Sequence, residues 1–149
     1  MNTTFFNFEL FQIADKLEYA KIAYGNPKAA YLILLQSGEH WDEQIKPFLE
    51  KVLKAIQIQL DQDTVFINLS PDQQLNISSV KRHFAPKKIL IFGIPPKTLG
   101  IQFPMPAYQV IEHQNCQFLW ADNIEVIYEE RQNGGKAMSA QLWKSLQQL

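Results

Sequence analysis

The side chains with chemical potential in this chain are few: three histidines, one cysteine, and two knots of charge. The first knot is Glu39, with Asp42-Glu43 close by, flanking His40-Trp41 just beyond an apolar run, "AAYLILLQ" (Ala29–Gln36). In open α/β sheets ligands bind past the carboxyl ends of strands. Glu39, His40 and Trp41 could therefore share a crevice with the loop 93–100, a carboxylate and an imidazole moving protons beside a ring that stacks. That arrangement would suit a hydrolase or a base-binding module. The plainer reading is that Asp42 and Glu43 complement the first turn of a helix, while Trp41 roofs a core.

The second knot is "KRHFAPKK", residues 81–88, where Lys81, Arg82, Lys87 and Lys88 surround Phe84. Cations interleaved with an aromatic ring can hold a phosphate backbone and a base. Equally, Lys81 and Arg82 suit a helix C-terminus, and Lys87 and Lys88 can shield the start of a buried strand.

Other chemistries find little support. His40, His83 and His113 show no ligand spacing, so no metal site is expected. Cys116 has no basic helper in sequence and reads as a packed thiol. No serine occupies a GxSxG elbow. Neither phosphate-loop nor dinucleotide fingerprint occurs, and after "KKILIFG" (Lys87–Gly93) the chain continues Ile94-Pro95-Pro96. Each proline removes a backbone N–H that a phosphate cradle needs. No cofactor is expected.

The remaining signal is contact surface. The proline-bearing loop carries Ile94, Leu99, Ile101, Phe103 and Met105 on a stiffened backbone, and a stiff loop loses little entropy when a partner binds it. The N-terminus holds Phe5, Phe6, Phe8 and Phe11, more aromatic side chains than one buried stripe accommodates. With Trp143 near the C-terminus, these residues are the expected partner-binding set.

These residues hang on a regular pattern. Residues 3–24 have helical periodicity, ended by Gly25-Asn26-Pro27. Three continuous apolar runs, Ala29–Gln36, Asp63–Leu69 and Lys87–Gly93, read as strands covered on both faces, hence a parallel sheet between helices. Asp42–Ile58 has the best amphipathic stripe, with Pro47 tolerable only in its first turn. Ser70-Pro71-Asp72 has the form of a helix start, and a short helix follows at Ile77–Phe84, capped by Asn76 or Ser78. Ala107–His113 alternates as a more exposed fourth strand; Cys116–Asp122 pairs with it or leads into a turn. Glu125, Glu129 and Glu130 form a solvated face, and Gly135–Leu149 is the closing helix.

With 149 residues, 46% hydrophobic side chains and a net charge of −1, the chain suits one α/β domain that is not a bulk polyanion binder. The expectation is a three-layer sandwich around a small, mainly parallel sheet of about four strands. Residues 1–25 form an aromatic-rich helix that docks a partner, and residues 26–149 form the domain. No apolar run approaches the roughly 18 residues of a membrane span, the N-terminus does not read as a secretory signal, and a lone cysteine fits a reducing compartment. A cytoplasmic protein is expected.

The succession "AAYLILLQ", "FLEKVLKAI", "TVFINL", "KKILIFG", a proline-bearing loop and "SAQLWKSLQQL" resembles the psi subunit family of the bacterial DNA polymerase III holoenzyme. The likeness spans Lys28 to Leu149, and its most specific piece is Leu142-Trp143 with Leu146. The resemblance implies a uracil-DNA-glycosylase-like fold without that activity, in a DNA replication subunit that bridges the clamp loader to the chi subunit, which in turn reaches single-stranded-DNA-binding protein. It also implies a clamp-loader contact from the N-terminal segment, to which Met1–Gly25 corresponds in role. Where the family has a Pro-Ser-Leu turn before its last segment, this chain has Ala121-Asp122-Asn123-Ile124. A glycosylase would need a His- and Ser-bearing late loop; here Trp120-Ala121-Asp122-Asn123 has no histidine. Three functions stay open: a non-enzymatic bridging subunit, an enzyme or base-binding module at Glu39, His40 and Trp41, and a homodimer joined through the phenylalanine-rich helix.

Overall fold

The computed structural model describes Tyr19 and residues 21–149. Their strands are β1 (Ala23–Gly25), β2 (Tyr31–Leu35), β3 (Thr64–Asn68), β4 (Lys88–Phe92), β5 (Ile111–His113) and β6 (Cys116–Ala121). They form one sheet in the order β1-β3-β2-β4-β6-β5. The four inner strands are parallel, with Leu32 opposite Val65 and Ile89, and Leu90 opposite Leu119. The two outer strands are antiparallel and three residues long. The expected mainly parallel sheet is present, with six strands rather than about four; Ala23–Gly25, read as the end of the N-terminal helix, is an edge strand paired with β3. Short edge strands offer few open backbone groups to other chains.

The helices are α1 (Lys46–Lys54), α2 (Leu60–Asp63), α3 (Ile77–Phe84), α4 (Ile124–Gln132) and α5 (Ala137–Leu146). A π-helical turn, Trp41–Ile45, runs into α1, and Pro47 lies in that helix's first turn. Asn76 caps α3, accepting the Ser78 N–H at 2.9 Å. Ser70-Pro71-Asp72 starts no helix: the Ser70 N–H bonds the Gln73 side chain, closing a turn. Only Ile111–His113 of the expected fourth strand is in the ladder, because Tyr108 sits at φ +61° and breaks the extended run. α4, in the stretch read as a solvated acidic face, does have a local signature: Asn123 caps it and Ile124 and Ile127 are its buried stripe.

Side chains alternate across each strand, so the core divides in two. Leu32, Leu34, Val65, Ile67, Ile89, Ile91 and Phe118 face α3; Ile33, Leu35, Phe66, Leu90, Phe92 and Leu119 face α1, α2, α4 and α5. Among the described residues one face thus has four helices, and the other has α3 with helical Tyr19 and Ile22 packed against it. The link from β4 to β6 carries no α-helix, only a 3₁₀ turn at Pro96–Leu99. Its Ile94, Leu99, Ile101 and Met105 are buried on the α3 face, occupying the place of a second covering helix. Burying such side chains stabilises by about 1.5–3 kcal/mol each. Among the described residues no helix is long and apolar enough to cross a membrane.

Candidate functional site

With β3-β2-β4-β6 as the parallel core, the chain connections reverse direction between β2 and β4, the place where α/β sheets hold ligands. Here that place is filled by the chain itself. Gly93, at φ +78°, ends β4 against the N-terminus of α4, and a Cβ on it would lie 2.8 Å from both Cα and Cβ of Asn123. Only glycine permits that approach at that φ. The Asn123 amide reaches the Gln36 carbonyl at 3.4 Å, and the Gly38 N–H donates to Glu125 Oε1 at 2.7 Å.

Glu39 and His40 sit beside this crevice, 3.6 Å apart, with both side chains mostly in solvent. Trp41 tilts over Phe66 at 5.9 Å and packs with the four-helix face. Ile94 and Leu99 belong to the α3 face. The sheet separates Trp41 from the loop, so the common crevice expected of Glu39, His40, Trp41 and residues 93–100 does not form. Next to it, between the ends of β2 and β3, lies a cavity of about 330 Å³ lined by Ser37, Gly38, Asn68 and Ser70. Asn68 bridges the Ser37 N–H and carbonyl at 2.8 and 3.1 Å.

The basic run does not form one patch. Lys81 lies on the α3 face, its Nζ 5.8 Å from the Phe118 ring centre. Lys88 shares the strand face of Leu90, reaches the Tyr31 hydroxyl at 3.4 Å, and bonds the Leu149 carbonyl. Arg82 and Lys87 are exposed. A helix leading into a strand sends these cations to opposite sides of the sheet. Phe84 is core, with His83 against its edge.

Of the expected partner-binding residues, Ile94 and Leu99 are 3% and 1% exposed and so are core, not contact surface. Phe103 is half-buried and Trp143 is 49% exposed. Phe5, Phe6, Phe8 and Phe11 lie outside the described residues.

An open groove lies on the α3 face along Gly100–Phe103. On one side is a cavity of about 620 Å³ walled by Pro96, Lys97, Pro104, Met105 and Trp120; on the other, one of about 570 Å³ bounded by Asn76, Ser78, Lys81, His113 and Gln114. Phe103 belongs to both and stacks on His113, ring centres 4.1 Å apart. Trp120 lines the first cavity, and its indole N–H is buried with no hydrogen-bond partner. Lys97, Gln102 and Trp120 join this groove without any local pattern in the sequence that marks them.

Two titratable groups nearby are perturbed. Burial, then the 2.6 Å bond to Asp122, pushes the Tyr108 phenol up. Burial raises the Cys116 thiol against the opposing pull of Lys81, which fits a packed thiol rather than a nucleophile. Among the described residues no three His, Cys, Asp or Glu side chains gather as a metal site would require.

The fold and site define a mixed α/β protein with a closed crevice and an open groove. In comparisons with known proteins, no family model and no curated sequence matches the chain.

Proposed function

We propose that this protein is a non-enzymatic, cytoplasmic docking subunit of the psi type, joining a clamp loader to a chi-like subunit in bacterial DNA replication. The observation that carries the reading is the crevice at the β2–β4 reversal, filled by Asn123 and Glu125 against Gly93. An α/β enzyme keeps that place open for substrate; a scaffold has no need to. The three-layer arrangement around a parallel core supports a uracil-DNA-glycosylase-like fold emptied of its chemistry. Trp143, a large exposed aromatic on α5, has the character of an interface anchor.

The competing reading, a hydrolase or base-binding module at Glu39, His40 and Trp41, is weakened by the separation of Trp41 from the loop. Co-purification from the native host tests the proposal. The full chain is expected to bring down clamp-loader subunits and a chi-like protein. Deleting residues 1–18, which leaves β1 intact, should release the clamp loader, and Trp143→Ala should weaken the chi-like association with an unchanged circular dichroism spectrum. Recovery of neither partner by the full chain overturns the reading.

A further inference from the structure

We propose that the groove along Gly100–Phe103 binds a single strand of nucleic acid directly, without a protein partner. Its charge is one-sided. Among the described residues no carboxylate lines either cavity, while Lys81, Lys97 and His113 do. Strand alternation accounts for part of this. His113 pairs with Cys116 on the α3 face, so the intervening Glu112 projects from the other face.

The groove also holds what unpaired bases need. The stacked Phe103–His113 pair supplies planar surface, and Asn76, Gln102 and Gln114 bring amide groups able to bond base edges. The walls are preformed: Ile101 and Met105 are anchored in the core, so little ordering entropy opposes binding. Recessed rings flanked by cations suit splayed bases better than a duplex, whose bases are stacked within. This site differs from the Lys81–Lys88 run, of which it uses Lys81 alone.

Fluorescence anisotropy with a fluorescein-labelled oligothymidylate of about 20 nucleotides tests the site. Saturable binding is expected at 50 mM salt. Two lysine–phosphate contacts predict an affinity falling about sevenfold between 50 and 200 mM. Lys81→Gln/Lys97→Gln should weaken binding at least about tenfold and flatten that salt dependence. Phe103→Ala should cost about tenfold through lost stacking and leave the salt dependence unchanged. Lys97→Gln alone, at an exposed position, gives an intermediate result independent of folding. Arg82→Gln/Lys87→Gln should change nothing. Absence of saturable binding overturns the proposal, as does binding indifferent to the Lys81/Lys97 pair. Equal binding of poly-glutamate would assign the groove to acidic peptides and also overturn it.

Discussion

At the end of β4 the chain takes two courses. Gly93 abuts the α4 N-terminus so closely that Asn123 and Glu125 fill the crevice between β2 and β4. A few residues on, the same connection passes along the α3 face and leaves cavities of about 620 and 570 Å³ on either side of Gly100–Phe103. The first region is filled because a capped helix brings polar side chains whose bonds end within the protein. The second stays open because prolines and a 3₁₀ turn replace a helix, and an irregular segment covers a sheet face unevenly. Between β2 and β4 Asn123 packs directly on Gly93, beside the cavity at the ends of β2 and β3; along Gly100–Phe103 an irregular cover leaves a groove.

The largest expected effects break the comparison at its closed side. Gly93→Ala combines a left-handed φ with a 2.8 Å approach to Asn123, and should cost about 3 kcal/mol in urea unfolding. A loss below about 1 kcal/mol would mean that α4 can withdraw and the crevice is not held shut. Leu99→Ala should cost a similar amount, about 3 kcal/mol, because the side chain is core; a neutral substitution would return the loop to the role of free contact surface.

Smaller effects sharpen it. Asn123→Ala removes the α4 cap and the bond to Gln36, so a loss of about 1 kcal/mol is expected, and an unchanged midpoint would deny the cap its role. Tyr108→Phe removes the bond to Asp122, worth about 1 kcal/mol, and alters pH dependence. The folded protein holds the Tyr108 proton more tightly than the unfolded chain, where it leaves near the ordinary value of 10.0. The associated stability is present below that pH and is lost as pH rises above it. Wild-type protein should therefore lose stability more steeply above pH 10 than the Phe variant. Parallel curves would show that folding does not tighten the hold on the Tyr108 proton.

Much of the inner frame is readable from local pattern. The three continuous apolar runs correspond to β2, β3 and β4, α1 carries the expected stripe, and Asn76 caps α3. The candidate site is far less readable. Ile94 and Leu99 looked like docking surface because apolar residues in a proline-rich loop have no periodicity to show which way they turn. The four cations of residues 81–88 looked like one patch because adjacency in sequence hides the passage from helix to strand. Glu125 looked solvated because its partner, the Gly38 N–H, lies 87 residues away.

What the sequence determined by itself is the alternation of strands and helices, since periodicity, caps and stop residues act over a few neighbours. Only the tertiary structure decided which strand ends are occupied, which loop side chains are core, and which lysines face one groove. Those outcomes depend on contacts between distant segments, whose strength comes from excluding water and pairing buried donors, and no local pattern records them.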